Sequence, residues 1–142
     1  QVLERDLGGV PLAVPVLYPG AIDRVSFAEK DETKGVLMLT LELAAGGERR
    51  RLQWEFLPLP TRPMIVLRLQ PGEMEGATVT ELLRQRLLRL PADAIIHLKI
   101  EGRVRDSHKA ALGARALRDL AGPGRNIRAS RVDTVDASAS SW

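Results

Sequence analysis

The chain has 142 residues, 27% of them charged and 44% hydrophobic, with no cysteine and a formal net charge of +3. That is one domain's worth of sequence, and the missing thiols exclude a disulfide framework, a thiolate zinc site and a cysteine nucleophile, which suits a reducing cytoplasm. No apolar run approaches the ~20 residues of a membrane span, because Arg84, Arg86 and Arg89 interrupt the leucine-rich stretch, and no signal peptide is visible. Position 1 is Gln rather than Met, which suggests a fragment of a longer protein.

Gly8-Gly9 signals a turn, and Pro11, Pro15 and Pro19 predict an extended opening segment barred from a central sheet position. Residues 29–34 (Glu-Lys-Asp-Glu-Thr-Lys) are expected to be a solvated charged loop. From Gly35 the period becomes two, with Leu37, Leu39, Leu41 and Leu43 on one face. After Ala44-Ala45-Gly46-Gly47-Glu48 the alternation resumes, and Leu52, Trp54 and Phe56 oppose Arg51, Gln53 and Glu55. Two alternating runs joined by a short Gly-containing loop predict an antiparallel hairpin. A strand with Ile65, Leu67 and Leu69 inward follows the proline-rich break at 58–63.

The second half alternates helix and strand. Thr78-Val79-Thr80-Glu81 reads as a capping box opening a helix to about Leu90, with Val79, Leu82, Leu83, Leu87 and Leu90 on one stripe. Ile96, Leu98 and Ile100 face inward from a strand over 94–101. Asp106-Ser107 can cap a second helix, roughly 108–121, and Gly122-Pro123-Gly124 ends it. A weaker strand over 126–133 precedes a Ser/Ala tail. The expected fold class is α+β: an extended opening and a β-hairpin, then β-α-β-α-β, a mixed sheet with two helices on one face.

No constellation for catalysis or metal binding emerges. His97 reads as a partly exposed strand histidine and His108 as a solvated residue in a first helical turn. Neither has a second histidine at i+2, i+3 or i+4, so no HxH or HExxH arrangement exists. Glu29, Asp31 and Glu32 alternate with Lys30 and Lys34, and no phosphate-binding loop or nucleophile elbow follows a strand.

The charge is unevenly distributed. Residues 99–131 hold nine basic side chains against Glu101, Asp106 and Asp119, a local balance of +6, and 17 of the chain's 21 basic residues are Arg. Guanidinium groups spread over a loop, a helix and a strand can meet phosphates at several points, which favours sequence-independent binding of a nucleic-acid backbone. A solvated Arg-rich surface would show the same pattern. Two Phe, one Tyr and two Trp offer no base-stacking platform.

One stretch carries a family resemblance. Tyr18-Pro19-Gly20-Ala21, then Arg24, then Phe27-Ala28-Glu29, then Glu32-Thr33-Lys34-Gly35 before an apolar strand, resembles a segment of the bacterial SbcD family of DNA repair exonucleases. These are counterparts of the eukaryotic meiotic-recombination nuclease. Ala21 stands where the family usually has Ser. The resemblance continues at lower specificity through Thr61-Arg62-Pro63, Asp93-Ala94-Ile95 and Ile100-Glu101-Gly102. It implies that positions 1–28 end a metallophosphoesterase domain and link it to a cap. It further implies that 29–136 form the capping, DNA-recognition domain and that 137–142 are a tail.

By the same resemblance, the two divalent metal ions, manganese, and all catalytic residues would lie upstream, leaving no catalytic or metal-binding residue in this chain. Duplex DNA, an SbcC-type ATPase and a second nuclease subunit in a homodimer are the implied partners. For phosphate contacts the sequence favours Arg103, Arg105, Lys109 and Arg128, followed by Arg49 and Arg51. The alternative is a protein-interaction element docking the ATPase or the second subunit through uncovered apolar residues such as Val36 and Met38.

Overall fold

The computed structural model describes residues 2–43 and 50–132. The fold is α+β, and the chain divides into two compact units, Gln1–Thr61 and Arg62–Trp142. That division falls inside the segment read as one capping domain. The strands form two antiparallel ribbons and one parallel three-stranded sheet. The mixed character expected of a single sheet is thus spread over three.

In the first unit, β1 (Val2–Arg5) pairs with β2 (Pro11–Leu17), so the proline-rich strand has one neighbour, as its missing N–H donors require. The Asp6 carboxylate closes the turn by accepting from the backbone N–H groups of Gly8 and Val10, at 2.9 and 2.8 Å. The expected antiparallel hairpin joins β3 (Gly35–Leu43) to β4 (Arg50–Pro58), with Leu37 opposite Phe56, Leu39 opposite Trp54 and Leu41 opposite Leu52.

Residues 29–34 differ from the solvated loop expected of them. Lys34 is 8% exposed, and its Nζ lies 2.8 Å from carboxylate oxygens of both Glu29 and Glu32. Arg24 donates through Nε and Nη2 to the Glu32 carbonyl, at 3.0 and 2.8 Å. A buried ammonium needs such partners, because an unpaired charge would lose its hydration without compensation. At Gly35 any Cβ would collide with the Leu57 carbonyl and the Phe56 ring, so only glycine lets the chain leave the clamp and enter the ribbon. Arg24, Glu29, Glu32, Lys34 and Gly35, all in the segment that resembles the nuclease family, therefore have local structural duties.

The second unit is built on the parallel sheet β5 (Met64–Leu69), β6 (Ile95–Glu101) and β7 (Asn126–Val132), in that spatial order. Stepping twice in one direction with crossovers of one hand puts all the helices on one face. The helices are α1 (Gly76–Leu88), α2 (Asp106–Leu112) and α3 (Ala114–Ala121). Their covered side chains, Val79, Leu83, Ala111 and Leu117, pack on Leu69, Leu98 and Ile100. A second cluster joins Leu87 to Ala94 and Ile96.

Three helix expectations are corrected. α1 begins at Gly76, so Thr78 is already helical and caps nothing; the Glu81 carboxylate instead meets Arg84 at 2.5 Å. Gly76 is required there because a Cβ would strike the Ser107 carbonyl in the first turn of α2. The single second helix is two, because Gly113 adopts an extended ψ of 147°. His108, expected in solvent, is fully buried: its Nε2 lies 2.6 Å from the Met74 carbonyl and its Nδ1 accepts from the Arg105 N–H at 3.2 Å. These bonds fix the tautomer with hydrogen on Nε2 and tie the start of α2 to the segment before α1.

Candidate nucleic-acid interface

Alternation sorts the second sheet's residues onto two faces. Ile65, Leu67, Leu69, Ile96, Leu98, Ile100, Ile127 and Ala129 meet the helices. The opposite face carries no helix among the described residues, and along β6 it presents Ile95, His97, Lys99 and Glu101. Register places Val66 and Arg128 on either side of His97, and Arg68 and Ser130 on either side of Lys99. Adjacent strands lie ~4.8 Å apart. The open face thus gathers Arg68, Lys99 and Arg128 around one histidine.

These cations are not equivalent. Arg68 is paired with Glu101, whose second oxygen accepts from Gln70 Nε2 at 3.0 Å. The Gln70 bond, followed by the one from Arg68, holds the Glu101 carboxyl below the usual carboxylate range. Lys99 and Arg128 have no carboxylate partner among the described residues. His97 Nε2 lies 2.8 Å from Ser130 Oγ. Its pKa is depressed first by burial, then by the charges of Lys99 and Arg128. The histidine therefore registers a positive field on this face.

The sequence-selected residues separate into groups. Arg103, Arg105 and Lys109 come together at the β6–α2 connection and the first turn of α2. Within that group Arg105 is half-buried and paired with Glu73, and Lys109 meets Asp106 at 2.6 Å, drawing the Asp106 carboxyl below its ordinary value. Arg103 is exposed. Arg128 stands apart from them on the open sheet face. Arg51 belongs to the first unit, exposed on β4 opposite Glu42, and Arg49 lies outside the described residues, as do Asp133 and Asp136.

Other basic residues serve the fold. Arg125 donates to the carbonyls of Pro91, Leu90 and Ala121. Arg62 donates to those of Asp93 and Gly124 and to Asn126 Oδ1. Lys99 and Arg68 were missed as site residues, although the parity of three strands, taken together, would have put them beside Arg128.

Among the described residues, no three His, Asp or Glu side chains gather as a metal-binding group. Among the described residues, no helix is long and apolar enough to cross a membrane. Neither a protein-family model nor a curated protein matches the chain.

Proposed function

We propose that the second unit binds the phosphate backbone of duplex DNA, and that the chain is a non-catalytic capping domain of an SbcD-type cytoplasmic nuclease. The observation that carries DNA binding is the diagonal placement of Lys99 and Arg128, neither of them in a salt bridge among the described residues although Glu101 shares the face with Lys99, on a sheet face that no described helix covers. A row of cations on a rigid sheet meets successive phosphates without reading bases. Arg103 extends the charge beyond the end of β6. In this reading the cap supplies position, while hydrolysis of the phosphodiester belongs to a two-metal centre upstream.

The test is a titration of a fluorescent duplex with the full chain at several salt concentrations. Lys99→Glu combined with Arg128→Glu should weaken binding and reduce the salt slope by about one for each phosphate that is no longer neutralised. Unchanged affinity and slope would overturn the reading. In the unsubstituted chain, DNA should raise the depressed His97 pKa, seen in its ring proton shifts, because phosphate offsets the field of Lys99 and Arg128.

A second reading rests on the hairpin. Met38, Leu39, Leu41 and Phe56 are 50%, 53%, 54% and 43% exposed, so both faces of the ribbon present apolar surface. This favours a protein contact through the first unit, with an SbcC-type ATPase or a second nuclease subunit as the partner.

A further inference from the structure

On the helix side of the second unit, a groove of about 310 Å³ lies between α2 and the C-terminal half of β7. Ile100, Val104, Leu112 and Ala129 supply its apolar surface; Arg131 adds positive charge, and Lys109 lines it while paired with Asp106. Ala129 explains the hollow: it occupies the helix-facing register beside Leu98, where a larger side chain would fill the space. Arg131 is exposed and has no carboxylate partner among the described residues.

The groove adjoins an open strand. β7 pairs with β6 alone, so its outer edge has no neighbouring strand among the described residues. An edge strand directs alternate N–H and C=O groups outward, where an extended chain can pair with them. The other edge of the sheet is treated differently: Arg86 Nη1 donates to the Arg68 carbonyl on β5 at 2.7 Å.

We infer that β7 and this groove receive an extended peptide segment of a partner protein, one with an aliphatic residue flanked by carboxylates. The peptide backbone pairs along the β7 edge. Its aliphatic side chain enters the hollow over Ala129, against Val104 and Leu112, and a flanking carboxylate meets Arg131. The positive charge selects an acidic partner over a basic one, and the apolar lining selects a peptide over nucleic acid, which would leave those side chains without an apolar counterpart.

The probe is a fluorescein-labelled heptapeptide, Asp-Glu-Val-Leu-Val-Asp-Glu, titrated into the full chain by anisotropy. A control peptide carries Lys in place of each acidic residue. The acidic peptide should bind and the basic control should not. Arg131→Glu, a substitution at an exposed position, should weaken binding about tenfold, as expected for removal of one charge-assisted hydrogen bond. Ala129→Leu should abolish it by filling the hollow, with circular dichroism checking that the fold survives.

Duplex binding is measured on both variants in parallel. It should persist in Ala129→Leu, so failure of the peptide site and failure of the DNA reading are separable. Equal binding of the acidic and basic peptides, or an Arg131→Glu variant with unaltered peptide affinity, would overturn the inference. Displacement of the peptide by duplex in the Lys99→Glu, Arg128→Glu protein would overturn it too, by showing that the groove takes nucleic acid.

Discussion

The fully covered apolar side chains among the described residues, from Leu69 to Ala121, all lie in the second unit; the buried positions of the first are Lys34 and Gly35. The contrast follows from architecture. Three strands with helices laid across one face enclose a layer of side chains, whereas a two-stranded ribbon has no second layer of its own. The first unit is held instead by ladder hydrogen bonds and by one ammonium clamped between two carboxylates, and it leaves Leu39, Leu41 and Phe56 partly in solvent. Cohesion by burial and cohesion by polar clamping should respond differently to substitution and to pH.

The largest expected effect is in the buried layer. Leu83→Ala removes a fully covered side chain at the centre of the main cluster and should cost about 2–5 kcal/mol of stability. Urea unfolding followed residue by residue should show that loss in the second unit's amides. Equal loss in the amides of β3 and β4 would show that the two units unfold together and would break the comparison.

His108→Ala should cost less, roughly 1–3 kcal/mol, by leaving the Met74 carbonyl and the Arg105 N–H without their partner inside the fold. A fall in stability below ~0.5 kcal/mol in the same measurement would mean that water replaces the ring without penalty.

In the first unit, Lys34→Met keeps an apolar stem but removes the charge, and should lower hydrogen-exchange protection over residues 24–35 while leaving the second unit unchanged. The pH dependence has a definite sign. Bonding to Lys34 lowers the Glu29 pKa, so that contribution is present above the ordinary carboxylate value of 4.5 and is lost as pH falls through the lowered one. Bonding to Glu29, then Glu32, raises the Lys34 pKa, so its contribution is present below 10.5 and is lost as pH rises through the raised value. Protection should therefore be greatest between these limits, and Lys34→Met should flatten the profile. A profile unaffected by the substitution would show that something other than the clamp protects this segment.

Much of the fold was legible because period and side-chain type act locally. Alternation from Leu37 to Leu43 and from Arg49 to Leu57 specified an antiparallel ribbon, and the inward sets on β5 and β6 are those that meet the helices. The helix starts were harder to place. Thr78 and Glu81 satisfy a capping pattern, but close packing at Gly76 against Ser107 favours an earlier start. His108 shows the same limitation: beside Lys109 it looks like surface, and only the Met74 carbonyl, 34 residues away in sequence, makes a covered position favourable.

The candidate site was legible as a charge imbalance but not as a surface. Of the residues chosen by charge, Arg105 and Lys109 are engaged by Glu73 and Asp106, while strand pairing sets Lys99 diagonally from Arg128 on one face. The sequence by itself determined the strands, the helical stripes and the excess of positive charge between residues 99 and 131, because each depends on nearest neighbours or on simple counting. Tertiary structure alone decided which cations are paired, which histidine is covered and which face of the sheet lacks a helix, because those depend on residues brought together from distant parts of the chain.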